Sequence, residues 1–270
     1  MKITFLGGGN MTTALIGGLL RRGTSAASLT VIEMLAGQRT KLTQEFGVSC
    51  ASEADDAALN CDVLVLAVKP QQMHEAITPL RGRLKRQLLL SIAAGIRLPD
   101  LTRWLDGYTN LVRAMPNTPA LIGAGVTGLY AHPAVSSEQR VAAEQVLAAA
   151  GTTLWLDNES MLDAVTAVSG SGPAYVFYFI EALQAAALEL GLPPQQARQH
   201  SLETFLGAAQ LAAQSQGEVA VLRERVTSKG GTTERALQSL EADQVKAALI
   251  RAVKAAAARS QELGDAWGKN

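Results

Sequence analysis

The chain has 270 residues, enough for one large or two modest domains, with 48% hydrophobic and 18% charged residues. Twenty-four Lys and Arg balance twenty-four Asp and Glu, so no net basic field points to nucleic acid and the composition excludes a disordered chain. Three scattered histidines (His74, His132, His200) and two cysteines without ligand spacing (Cys50, Cys61) argue against a metal site or a Ser-His-Asp triad. The thiols suit a reduced, cytoplasmic protein. No secretory leader is recognisable and no apolar run reaches membrane-spanning length, so no membrane partner is expected.

The first stretch organises the rest. An apolar strand at residues 3–6 runs into Gly7-Gly8-Gly9 and then a helix over 10–22. This strand–turn–helix opens a dinucleotide-binding βαβ unit. Gly7 permits the tight turn, Gly9 lets backbone approach a pyrophosphate, and the helix start offers free N–H groups and partial positive charge. The third small position of the fingerprint falls at Thr12, a bulkier residue than the close helix–strand packing calls for. A second strand, 29–32, ends in Glu33, which either meets the adenosine ribose hydroxyls or faces solvent. Such an acid favours NADH over NADPH, whereas Arg39 and Lys41 soon after offer charge for a 2′-phosphate.

A helix over 37–46 and a short strand over 48–51 come next, then the apolar run 62–68, suited to a parallel strand buried on both faces. It ends at Lys69-Pro70, at the carboxyl end where open α/β sheets bind ligands. The strand 87–92 leads into Ala93-Ala94-Gly95, small residues that either leave room for a flat ring or fill tight packing. The strand 110–114 precedes Met115-Pro116-Asn117-Thr118-Pro119, a proline-stiffened loop with Asn117 as donor and acceptor. A strand over 126–130, a helix over 136–150 and a strand over 152–156 complete an α/β domain at residues 1–157.

After Asp157 strand signals stop and helical patterning fills residues 158–270, with helices predicted over 158–168, 173–190, 194–214, 219–226, 232–240 and 244–263. The helix 173–190 carries Phe177-Tyr178-Phe179 and little polar face, which predicts burial against a second chain in a homodimer. Ser169-Gly170-Ser171-Gly172-Pro173 opens it, with Pro173 at a first-turn position and the serines placed to cap N–H groups. Thr227-Ser228-Lys229-Gly230-Gly231-Thr232-Thr233 precedes another helix and makes an anion nest suited to a small carboxylate.

These segments together resemble the pyrroline-5-carboxylate reductase family nearly end to end. The likeness is carried by Phe5-Leu6-Gly7-Gly8-Gly9-Asn10-Met11, Ala67-Val68-Lys69-Pro70-Gln71, Ser91-Ile92-Ala93-Ala94-Gly95, Arg113-Ala114-Met115-Pro116-Asn117-Thr118-Pro119, Ser169-Gly170-Ser171-Gly172-Pro173-Ala174-Tyr175 and Val226-Thr227-Ser228-Lys229-Gly230-Gly231-Thr232-Thr233. Thr12, Lys229 and Glu33-Met34 depart from the common pattern; the last pair stands where NADPH-using members carry basic residues.

The resemblance implies an N-terminal Rossmann domain and a C-terminal all-helical dimerisation domain, with dimers assembling into decamers. It implies hydride transfer from NADPH or NADH to the C=N carbon of 1-pyrroline-5-carboxylate, giving L-proline. Catalysis then rests on holding nicotinamide and imine face to face, with no strong general acid. Gly7, Gly9, Asn10 and Met11 would hold the pyrophosphate, Glu33 the ribose, and Val68, Lys69, Pro70, Ala93, Ala94 and Asn117 the nicotinamide and its ribose. Ser171, Ser228, Gly230, Gly231, Thr232 and Thr233 would hold the substrate, with Thr233 as the catalytic residue. A β-hydroxyacid dehydrogenase shares the two-domain plan but needs a lysine on the long helix, and residues 173–190 hold none. An imine reductase for uncharged rings and a nucleotide-binding protein without turnover are the remaining rivals.

Overall fold

The structure is a computed structural model and describes residues 1–268. Its chain divides into two compact units, one of residues 1–171 with 255–268 and one of Gly172–Lys254.

The first unit is built on β1 (Ile3–Leu6), β2 (Leu29–Ile32), β3 (Ser49–Ala51), β4 (Val63–Leu66), β5 (Leu88–Ser91), β6 (Leu111–Met115), β7 (Gly125–Ala131) and β8 (Gly151–Trp155). They form one sheet in the order β3-β2-β1-β4-β5-β6-β7-β8. Six of the seven pairings are parallel and β6–β7 is antiparallel. The helices are α1 (Asn10–Arg21), α2 (Ala36–Phe46), α3 (Met73–Ile77), α4 (Leu98–Trp104), α5 (Ser137–Ala148) and α6 (Met161–Val165). Between β6 and β7 lie only Pro116 to Ala124, too few residues for a crossover helix, so the chain turns back on itself. Helix α5 then carries it across the sheet so that β8 lies parallel to β7, and a Ser136–Gln139 capping box starts that helix.

The strands alternate their side chains between two cores, as a two-sided sheet requires. Ile3, Phe5, Val63, Val65, Leu88 and Leu90 pack with α1 and α5 on one face. Leu6, Leu64, Leu66, Leu89 and Leu111 pack with α3 and α4 on the other. The strands 62–68 and 87–92 predicted from sequence are shorter here, because their ends leave the ladder for the loops that carry the candidate site.

The second unit contains α7 (Gly172–Glu189), α8 (Pro194–Gln214), α9 (Val219–Arg225), α10 (Thr232–Ala242) and the first half of α11 (Val245–Trp267). Among its described residues only Ala197 and Ser201 are buried. The compact units part at residue 171. Helix α6 packs on β6 and β7, and the last turns of α11 belong to the first unit. There Ser260 donates to the buried Asp163 carboxylate at 2.6 Å and Arg97 pairs with Asp265 at 2.7 Å. A side chain at Gly95 (φ +79°) would lie 3.1 Å from Trp267, so glycine is what lets this helix end sit down. Among the described residues no helix is long and apolar enough to cross a membrane.

Candidate functional site

The parallel strands β1, β2, β4, β5 and β6 all end on one edge of the sheet, and five segments singled out in the sequence stand there: Gly7–Met11, Glu33, Val68–Pro70, Ala93–Ala94 and Asn117. Gly7 turns the chain at φ +105°, donating to the Ile32 carbonyl at 2.9 Å. A Cβ there would lie 2.8 Å from the Ala67 carbonyl oxygen. Gly9 is different: a Cβ on it would meet nothing within 4 Å. The fold does not need glycine at position 9, whose bare backbone leaves open space beside the turn. No side chain caps α1 and no acidic residue stands in its first turn, so the N–H groups there face outward unclaimed. Space, free donors and a helix start fit the pyrophosphate of a dinucleotide.

Thr12 is buried, yet it does not disturb this turn. Its hydroxyl donates to the Gly7 carbonyl at 2.6 Å, so the extra bulk braces the turn. The expectation that position 12 must be smaller is corrected by that bond, made to a group five residues back. Gly8 is buried, with Leu42 and the Glu33 carboxylate where a Cβ would go. The Gly8 N–H donates to Glu33 Oε2 at 2.9 Å, and the Leu35 N–H donates to Glu33 Oε1 at 2.9 Å. Gln38 Nε2 donates to the Gly8 carbonyl at 2.6 Å. Arg39 Nη1 donates to the carbonyls of Glu33 and Met34, each at 2.7 Å. Met34 and Leu35 are exposed beside this cluster.

After β4, Val68 is half-buried, and exposed Lys69 leads into a short 3-10 turn at Pro70–Gln72. After β5, Ala93 is buried and Ala94 half-buried. Asn117 departs from its expected place against the nicotinamide. It is buried, its Oδ1 accepts from the Val126 N–H at 2.9 Å, and its Nδ2 donates to the Ser169 carbonyl at 3.0 Å. Its amide is a brace between β7 and the segment before α7.

That segment is a π-turn, Thr166–Gly170, where the sequence predicts helix and serine caps. The Ser171 N–H closes it on the Thr166 carbonyl at 2.8 Å, and the Ser169 hydroxyl donates back to the Val165 carbonyl at 3.0 Å. A Cβ on Gly170 would lie 2.7 Å from the end of the Met115 side chain. Ser171 is half-buried at the entry to α7.

In the helical unit, Ser228–Thr233 leads into α10 as expected, but its donors are partly spent. Glu234 Oε2 accepts the Gly230 N–H at 2.7 Å, and the Ser228 carbonyl accepts the Gly231 N–H at 3.0 Å. The Gly230 and Gly231 N–H groups are thus engaged within the turn that shapes the nest. No side chain caps α10, which leaves the Thr232 and Thr233 N–H groups, with the Ser228 and Thr233 hydroxyls, for an anion. The signal for the Glu234 contact is an acid at the third helical position, half of a capping-box pattern. Cys61 lies outside these segments, and burial pushes its thiol pKa up, away from thiolate reactivity.

Comparison with known proteins gives names to both halves. Residues 159–263 match the family described as "Pyrroline-5-carboxylate reductase dimerisation", and residues 2–95 match "NADP oxidoreductase coenzyme F420-dependent". A pyrroline-5-carboxylate reductase of Pseudomonas aeruginosa is 46% identical over 269 residues, covering 99% of this chain and 98% of the relative. The solved pyrroline-5-carboxylate reductase of Coxiella burnetii superposes with a TM-score of 0.91 at 39% identity, covering 97% and 98% of the two chains. That of Plasmodium falciparum, solved with NADP bound, gives 0.87 at 28% identity, covering 98% of each.

Proposed function

The chain belongs to the pyrroline-5-carboxylate reductase family, and on that premise we propose how its residues divide the reduction of 1-pyrroline-5-carboxylate to L-proline with NAD(P)H. One observation carries the reading above all: the likeness runs through both units, so cofactor-binding and substrate-binding segments are present together in one chain.

Reduced nicotinamide, when bound, supplies the hydride. The chain's own contribution is placement. Gly7 and Gly9 leave room for the pyrophosphate, and the N–H groups of Asn10 and Met11 donate to it. Glu33 takes the adenosine ribose, and Val68, Lys69, Pro70, Ala93 and Ala94 form the wall against the nicotinamide. Asn117 holds that wall's loop. On the helical unit, Ser228 and the N–H groups of Thr232 and Thr233 hold the substrate carboxylate, within the bend set by Gly230 and Gly231. Ser171 shapes the pocket from the start of α7. The imine nitrogen carries a proton taken from solvent, which makes the ring carbon electrophilic. The Thr233 hydroxyl accepts from that nitrogen or donates to the carboxylate. Hydride adds to carbon, the C=N π pair passes to nitrogen, and the product is the amine of proline; no side-chain acid is consumed.

The helical half self-associates, as its family model describes. We also assign assembly of the dimers into decamers and a cytoplasmic location; the two free thiols suit a reducing compartment.

The test is loss of reduced-nicotinamide absorbance with 1-pyrroline-5-carboxylate, repeated with Thr233→Ala. The variant should lose about tenfold or more in kcat/KM for the imine, the worth of one well-placed hydrogen bond to a charged group, with nucleotide binding unchanged. Equal loss of both overturns the role of Thr233. Faster turnover of an imine lacking the carboxylate overturns the substrate.

A further inference from the structure

We propose that the last turns of α11 hold the shape of the nicotinamide wall, with Trp267 and Asp265 as positioning residues for hydride transfer. The inference rests on the reductase reading, which sets Ala93 and Ala94 against the ring. Methyl groups alone anchor a loop poorly, because they bury little area. The Ala93 N–H makes only a long bond, 3.4 Å to Ser91 Oγ. Gly95, the next residue after the two alanines, is buried at φ +79° and adds no side chain at all. The segment that leaves room for a flat ring therefore needs its support from elsewhere in the chain.

Helix α11 supplies that support. Trp267 packs on the core that contains Ala93, and a Cβ on Gly95 would lie 3.1 Å from its ring. Gly264 is buried against the same loop: a Cβ on it would lie 3.1 Å from the Gly95 carbonyl oxygen and 3.0 Å from the Arg97 guanidinium. Arg97 Nη1 pairs with Asp265 at 2.7 Å, and its Nη2 donates to the Gln261 carbonyl at 3.3 Å. Arg103, further along α4, donates to the Gly268 carbonyl. Both arginines thus meet carbonyls at the C-terminal end of α11, where positive charge is favoured. The far end of the loop is pinned separately. Glu159 Oε1 accepts from the Leu98 N–H at 2.7 Å and from the buried Arg113 at 3.1 Å. Between Ser91 in the sheet and Leu98 on α4, the backbone rests on Trp267 and Gly264. Displacing the wall by about 1 Å would spoil the approach of ring to imine, an error that can cost about a hundredfold in rate.

The experiment sets two binding probes beside turnover. One is the reduced nucleotide that the wild type binds more tightly; the other is the matching ADP-ribose, which lacks only the nicotinamide. Trp267→Ala should lower kcat about tenfold or more and leave KM for the imine within about twofold. It should weaken the reduced nucleotide about threefold or more in calorimetry, with ADP-ribose binding within about twofold and the oligomer unchanged in sedimentation. Trp267→Phe keeps an aromatic ring on Gly95 and should recover most of both losses. Asp265→Ala should show the same pattern at about threefold in kcat and in the ratio of the two constants, as befits an exposed ion pair. Ser260→Ala loosens α11 from Asp163 rather than from the wall, and should leave that ratio unchanged. Equal weakening of both probes in Trp267→Ala overturns the proposal, and so does an undiminished kcat. If Trp267→Ala fails to fold, Asp265→Ala decides the matter by the same ratio. Absence of turnover of 1-pyrroline-5-carboxylate by the wild type would sink the reductase reading, while the ratio of the two constants still decides this one.

Discussion

The two units reach stability by different routes. In the first, eight strands carry alternating apolar side chains into two cores, and Phe5, Leu15, Leu64 and Leu66 are fully buried within a single chain. In the second, Phe177 and Tyr178 are 61% and 69% exposed, and Leu190, Leu206 and Leu211 are exposed too. An apolar helix set with almost no interior of its own is a half-built core, and a self-associating family supplies the other half from a second copy. The sheet unit thus encodes a nucleotide cradle in backbone geometry that one chain completes. The helical unit presents an apolar surface suited to association.

Three substitutions test that contrast. The largest effect should follow Phe177→Glu, which brings a charge to the exposed apolar face. Self-association should weaken by a hundredfold or more, on the order of a lost interface anchor, as read by sedimentation. Imine reduction should fall with it while NADH affinity stays within about twofold; loss of NADH binding in step would break the contrast. Next comes Gly7→Ala, which places a Cβ against the Ala67 carbonyl and forces a positive φ on alanine. Denaturant unfolding should show about 2–4 kcal/mol lost and nucleotide binding abolished, with dimers persisting wherever the chain folds. The smallest is Ser260→Ala, which removes the hydroxyl donor to the buried Asp163 carboxylate. A loss of about 1–3 kcal/mol is expected, with kcat/KM unchanged. No change in unfolding would mean that α11 adds nothing to the first unit.

Legibility in the sequence did not follow that divide: the helices of the second unit lie close to their predicted ranges, and most misses fall in the first. The strands and the turn at Gly7–Gly9 were readable because short apolar runs and glycine turns are local signals. Helices α3 and α4 were missed because each is short and lies in a proline-bearing connection, next to Pro70 and around Pro99. What could not be read were particular side-chain bonds, two of them local (Thr12 to the Gly7 carbonyl, Gly230 to Glu234) and two between distant positions (Gly8 to Glu33, Asn117 to Ser169). These bonds show Thr12 bracing the turn, and the amide of Asn117 and the N–H of Gly230 engaged within the chain. The π-turn at Thr166–Gly170 was hidden because its apolar pattern is that of ordinary helix; only the wider backbone bond, Ser171 N–H to the Thr166 carbonyl, sets it apart.

The path of α11 has a consequence for how the chain is made. Arg97 meets Asp265, 168 positions further along the chain, and Asp163 meets Ser260, 97 positions further. The face of the sheet unit around Gly95 therefore stays open while the whole helical segment is synthesised, although the strands beneath it are already in place. Closing it is a late, long-range event in folding, with the loop-closure entropy that such distance entails. A nascent chain that has emptied its sheet-forming sequence from the ribosome still exposes the seat for Trp267. The helical segment, apolar and not yet paired with a second copy, must meanwhile remain soluble.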